Sequence, residues 1–225
     1  LQALSDRGRD GRMARIVGIE KGASGAVKAV ADDGSLFIFK GAFLAAALAE
    51  RGLPSPVIEG RGDVFVELPD DALDDAVEAT DAESRALALL ARAEQYRFGL
   101  ERKLTARGFG RPAILAALDG LESGGLLSDE RYASSWIRQR VRHKAEGPRT
   151  LAAALSAKGV ERRAVKKAMD EAFEGDDRRD DRLRIIAQCA ARLSAGGEHD
   201  GLRSRLIALG WRSGDVDEAI ESLES

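Results

Sequence analysis

Three glycines, Gly108, Gly159 and Gly210, stand 51 residues apart, and each sits inside the same short pattern. The runs are Leu104-Thr105-Ala106-Arg107-Gly108-Phe109, Leu155-Ser156-Ala157-Lys158-Gly159-Val160 and Leu206-Ile207-Ala208-Leu209-Gly210-Trp211. The register holds on either side. Leu100, Leu151 and Leu202 correspond, as do Ile114, Val165 and Val216, then Ala117, Ala168 and Ala219. Glycine and its apolar neighbours agreeing at a fixed period is the signature of an internal repeat. In each unit a helix is expected to end at the glycine, which accepts the left-handed conformation of the position after a helix. The following Phe, Val or Trp turns into the core, and a second amphipathic helix begins. In the first copy Pro112 lies early in that helix, where its missing N–H costs nothing. A further helical stretch precedes each pair, roughly residues 82–96, 129–145 and 181–194.

The expected fold is therefore mainly α: three tandem three-helix repeats preceded by a small β-rich N-terminal domain. Neighbouring repeats bury faces that none could bury alone. The β-rich part, residues 14–69, contains short runs of β-prone residues around Ile16, Val27, Phe37 and Phe65, with Asp33-Gly34 as a hairpin signal between the second and third. A short helix from Phe43 is expected to stop at Gly52. Residues 1–13 are expected to form a disordered tail and 70–81 an acidic linker or the start of a long helix. The repeats then cover 82–128, 129–175 and 176–225. The first dozen residues are polar, no apolar run reaches 18 residues, and one cysteine, Cys189, cannot form an internal disulfide. A cytoplasmic protein is expected.

The formal net charge of −3 conceals a strong asymmetry. Residues 1–96 carry 11 basic and 17 acidic side chains, a net of −6. Residues 97–168 carry 16 and 7, a net of +9; residues 169–225 carry 8 and 14, a net of −6. A basic centre between acidic flanks points to a polyanionic or acidic partner at that centre.

The densest local pattern is Leu126-Leu127-Ser128-Asp129-Glu130-Arg131-Tyr132-Ala133, followed by Gly147-Pro148-Arg149. Ser128 or Asp129 is suited to cap a helix, Glu130 suits its positive end, and Gly147-Pro148 breaks the chain before the next helix. A capped helix does not account for the arginines. At 100° per residue Arg131, Ser135, Arg138 and Arg142 form one stripe, while Tyr132, Ala133, Trp136, Ile137 and Val141 fill the opposite arc. Arg140 and Lys144 project from that apolar arc, so each must snorkel, pair with an acid or face a partner. One helix further on, Arg162, Arg163, Lys166 and Lys167 share a face opposite Ala164, Val165, Ala168 and Met169. Charge and helical phase thus nominate Arg131, Arg138, Arg142, Arg149, Arg162, Arg163, Lys166 and Lys167 as a contact set.

Catalysis finds no foothold. There is no phosphate loop, no nucleophile elbow and no His-Glu-x-x-His pair. With two histidines, His143 and His199, and one cysteine, no zinc site and no cofactor are expected. Acid pairs such as Asp74-Asp75 and Asp180-Asp181 read as solvated.

The run from Leu126 to Ala133, with Gly147-Pro148-Arg149 and Lys158-Gly159 after it, closely resembles the RecX regulators of the bacterial recombinase RecA. The resemblance extends over about residues 82–225; the third repeat carries few basic residues and a Gly196-Gly197 break. It implies a non-enzymatic, monomeric negative modulator. Such a protein lies in the groove of the RecA–single-stranded DNA filament, limits its extension and inhibits strand exchange, ATP hydrolysis and cleavage of the SOS repressor. A stand-alone helix-turn-helix-like DNA binder, acting on duplex DNA, is the alternative.

Overall fold

A computed structural model describes residues 11–56, 61–144, 146–195 and 201–224. Most of the tail expected at 1–13 and the Gly196-Gly197 break lie outside the described residues. The chain divides into two compact units, one formed by Leu1–Arg92 with Glu101–Leu126 and the other by Ala93–Leu100 with Leu127–Ser225.

The first unit begins with strands β1 (Met13–Lys21), β2 (Ala26–Ala31) and β3 (Leu36–Lys40), helix α1 (Gly41–Glu50) and strand β4 (Arg61–Pro69). The sheet is antiparallel in the order β3-β2-β1-β4, and Asp33-Gly34 does lie in the β2–β3 connection. Alternation sends Ile16, Val27, Ala29, Phe37, Phe39 and Leu68 to one face, where they meet Leu44 and Leu48 of α1. Strand β1 starts earlier than expected. Met13 pairs with Pro69, and the Asp70 N–H donates to the Arg12 carbonyl.

The acidic stretch 70–81 is not a linker but the first half of helix α2 (Asp70–Leu90). Two causes act together. Asp70 and Asp71 occupy the first turn, where the helix dipole favours anions. Ala72, Leu73, Ala76 and Ala79 recur at helical spacing and are at most 2% exposed. Arg51 binds Asp71 and, one turn on, Asp75, at 2.9 and 2.7 Å. Nearby, the Lys40 ammonium pairs with Glu83, a carboxylate otherwise buried in the unit. Helix α2 stops at Leu90, short of the expected 96. Helix α3 (Arg97–Thr105) has its first four residues in the second unit and the rest in the first, which α4 (Arg111–Ser123) completes. The expected first repeat, 82–128, is thus shared between the two units.

The second unit contains α5 (Asp129–His143), α6 (Pro148–Lys158), α7 (Arg162–Phe173), a 3-10 turn at Asp176–Arg178, α8 (Arg179–Ser194), α9 (Leu202–Ala208) and α10 (Ser213–Glu224). Its core joins Ile137, Leu151, Leu155, Ile186, Leu206 and Trp211. Cys189 is 1% exposed there, and burial pushes its thiol above the usual range. Among the described residues no helix is long and apolar enough to cross a membrane.

Gly108, Gly159 and Gly210 have φ of 88, 84 and 95°. In all three the next residue donates its N–H back across the turn, Phe109 to Leu104, Val160 to Leu155 and Trp211 to Leu206. Helices α4, α7 and α10 begin at 111, 162 and 213, the same interval of 51 residues. An alanine at Gly108 would meet open space, whereas at Gly210 its Cβ would lie 2.9 Å from the Arg149 backbone nitrogen. We therefore expect Gly108→Ala to destabilise by about 1 kcal/mol, the left-handed cost alone, and Gly210→Ala by roughly 2–4 kcal/mol. Urea unfolding of the two variants checks this order.

Candidate partner-binding surface

The surface is built on α5, whose start is unusually well tied. Ser128 is the cap: its Oγ accepts from the Arg131 N–H at 3.2 Å. That leaves the Asp129 side chain free to reach elsewhere. One carboxylate oxygen accepts from the Arg97 N–H at 2.7 Å, at the start of α3; the other accepts from the Glu161 N–H at 2.9 Å, just before α7. One side chain thus holds the beginnings of two other helices, where unpaired N–H groups and positive dipole ends favour an anion. The neighbours do related work. Glu130 binds Lys167 on α7 at 2.6 Å, Arg131 binds Glu94 at 3.2 Å, and the Tyr132 ring lies 4.7 Å from that of Tyr96. Burial raises the Tyr132 hydroxyl above its ordinary range. In the first unit, Glu78 accepts from the Gly110 N–H at 2.6 Å. Glu78 and Gly110 precede Asp129 and Glu161 by 51 residues each, so the device recurs at the period.

These ties divide the nominated residues. Arg131 and Lys167 are engaged within the unit, and Lys166 pairs with Asp170 on its own helix. Arg138, Arg142, Arg149, Arg162 and Arg163 are exposed, and none makes an ion pair among the described residues. Arg162 and Arg163 occupy the first turn of α7, which contains no acid, so both cations work against the helix dipole. Their position does not serve helix stability. Arg149, in the first turn of α6, is fixed through its backbone, its N–H donating to the Leu209 carbonyl at 2.9 Å. Gly147 fits just before it because any Cβ would lie 2.5 Å from Leu209.

Arg140 escapes its apolar arc by lying 4.8 Å over the Trp136 ring and pairing with Glu146 at 3.4 Å. Lys144 stands just past the end of α5 in extended backbone, fully outside the arc assigned to it. Arg138 and Arg142 do come together with other groups: they line one wall of an open groove of ≈ 550 Å³ between α5, α7 and α8. Arg178 and Arg184 lie across it, both paired with Asp181.

One functional-looking cation escaped sequence reasoning because it lies in the acidic third repeat. Arg182 is 4% exposed, with Asp215 at 2.9 Å and the carbonyls of Phe173 and Gly175 at 3.2 and 2.6 Å. It closes the C-terminal end of α7, committing its Nε–H and both Nη1 hydrogens to these acceptors. Other third-repeat cations also face acids, as Arg179 does with Glu218 and Arg203 with Asp217. Among the described residues no group of three or more His, Cys, Asp or Glu is placed to hold a metal.

Helix starts tied by acids at positions 78 and 129, and turns at Gly108, Gly159 and Gly210 that share one geometry, describe a mainly helical protein with a small N-terminal sheet. Residues 128–169 match the family model described as "RecX, second three-helix domain". Over 97 residues the chain is 36% identical to "Regulatory protein RecX" of Mycobacterium sp. (strain JLS), covering 43% of this chain and 53% of that one. The protein of the same description from Stenotrophomonas maltophilia (strain R551-3) is 41% identical over 92 residues, 41% of this chain and 55% of that one. The chain spans about half the length of the curated relatives it matches. A crystal structure of regulatory protein RecX superposes with a TM-score of 0.62 at 18% identity, over 92% of this chain and 99% of that one. RecX from Lactobacillus salivarius gives 0.55 at 20%, over 65% and 97%. The two solved structures share this chain's fold, and the sequence likeness to RecX proteins is concentrated in and around residues 128–169.

Replacing Asp129 by Ala leaves two helix-start N–H groups without their acceptor, and we expect a loss of about 2–4 kcal/mol. Asp129→Asn, which keeps one accepting oxygen, should lose roughly half as much. Hydrogen exchange at the Arg97 and Glu161 amides reads the clamp directly; unchanged protection in Asp129→Ala would refute it.

Proposed function

We propose that this chain is a regulator of a RecA-type recombinase, binding the filament formed on single-stranded DNA, limiting its extension and inhibiting strand exchange, ATP hydrolysis and co-protease activity. It acts by occupancy and not by catalysis. The observation that carries the reading is what the family-matched segment presents at its surface. The segment matched by the RecX family model, 128–169, is the segment holding all five exposed, unpaired arginines of the nominated set. Basic side chains held on short rigid helices suit a polyanionic filament, since phosphate contacts supply affinity without requiring base contacts. Acids pair with Arg178, Arg179, Arg182, Arg184, Arg203 and Arg212 of the third repeat, so the positive excess is greatest at the centre of the chain. The cytoplasm, where such filaments form, is the matching location.

A stand-alone DNA binder is the second reading, favoured by Arg162 and Arg163 at the start of a helix that follows a glycine turn.

ATP hydrolysis by RecA on single-stranded DNA, measured with near-stoichiometric amounts of this protein, separates the two. The filament reading expects inhibition, weakened about tenfold or more in apparent affinity by Arg162→Glu with Arg163→Glu. No inhibition by the unaltered protein would sink it. The stand-alone reading expects tight duplex binding without RecA, with a salt slope that falls by about 1 for each phosphate-contacting arginine removed.

A further inference from the structure

The groove beside α5 is lined by more than basic side chains. Its lining combines charge and hydrocarbon: Arg138 and Arg142 on the α5 wall, with Val141, Ala172 and Ile185 half-buried between the helices. The other two arginines, Arg178 and Arg184, are engaged by Asp181, and Glu171 accepts a hydrogen bond from Ser134. The uncommitted charge in the groove is therefore that of Arg138 and Arg142. They lie four residues apart on one helix face, which puts their side-chain origins about 5–6 Å from each other. Alternate residues of an extended peptide are about 6.6 Å apart on one side. Two carboxylates at positions i and i+2 of such a peptide match the two guanidinium groups, leaving alternate side chains for the aliphatic lining.

We propose that this groove takes an extended acidic peptide segment interleaved with aliphatic side chains, the carboxylates pairing with Arg138 and Arg142 and the aliphatic groups covering Val141, Ala172 and Ile185. The proposal rests on the filament-binding reading only in that it names what these two arginines contact there: protein and not DNA. Charge complementarity selects an acidic partner. The lining selects peptide over nucleic acid for two reasons. Its one aromatic ring, Phe173, is 6% exposed and offers no platform on which a base could stack. Glu171 and Asp181 on the rim would repel an unbroken phosphodiester backbone, whereas intermittent carboxylates can avoid them. A volume of ≈ 550 Å³ is in the range of sites that enclose a short segment.

The test is fluorescence anisotropy with the full chain and a fluorescein-labelled octapeptide alternating Asp and Leu. Beside it run the same peptide with Ser in place of Leu, and a labelled oligo-dT. The Asp/Leu peptide should bind, and the Asp/Ser peptide about tenfold more weakly or worse, because buried Leu side chains supply the difference. Arg138→Glu with Arg142→Glu should weaken the Asp/Leu peptide at least about tenfold and weaken oligo-dT by a smaller factor than Arg162→Glu with Arg163→Glu does. Ala172→Trp keeps every charge and fills the groove; it should also abolish peptide binding, with circular dichroism verifying that both variants fold. Equal binding of the two peptides, or displacement of the peptide by oligo-dT, would overturn the assignment. Recombinase ATPase inhibition by the same variants keeps the two readings apart. Inhibition that persists after peptide binding is lost removes the groove from the filament contact. Absent inhibition with peptide binding intact removes the filament reading and leaves the groove.

Discussion

The carboxylate of Asp129 determines more of the basic unit than any other single group. Helix starts are the costly points of a small helical domain, because four N–H groups at each lack partners. Here the cap residue, Ser128, closes its own helix, and the residue after it is thereby released to close two others. The position of α7, and with it of Arg162 and Arg163, follows from a 2.9 Å contact to backbone and not from the packing of its side chains alone. Glu78 does the same for α4 with one more methylene.

On that framework the charges fall into two kinds. Some arginines and lysines are structural, each facing an acid: Arg182 in the interior, Arg131 and Lys167 at the surface. Exposed pairs of this sort contribute little energy, about 0–1 kcal/mol, but they consume the field that a partner would otherwise feel. Of the nominated residues, the uncompensated ones are Arg138, Arg142, Arg149, Arg162 and Arg163, on α5, α6 and α7. Net charge by segment therefore overstates the working surface, and the pairing pattern corrects it.

Much of the fold was legible because its marks are covalent and periodic. The spacing of Gly108, Gly159 and Gly210, the Asp33-Gly34 hairpin and the alternation through Phe37 and Phe39 are local facts that local rules read. The failures share a cause as well. Residues 70–81 look like a linker only while their acids are counted; Ala72, Ala76 and Ala79 are a buried stripe whose partners lie far away in sequence. The roles of Arg131 and Lys167 depended on Glu94 and Glu130, which no helical wheel brings near them. The acids at 78 and 129 were visible at the 51-residue interval, but alignment by glycines and apolar positions passed over them. Arg182 was hidden by the acidic sequence that satisfies it.

The residue after the repeat glycine is Phe109 in one copy, Val160 in the next and Trp211 in the third, a wide spread of side-chain volume at one structural position. The turn that delivers each is nevertheless the same, since it is fixed by backbone hydrogen bonds and a left-handed glycine. Geometry and filling are thus under separate control. Each unit of such an array can exchange its interior for another without moving its helix starts. The copies are free to diverge in sequence until only the punctuation remains in common.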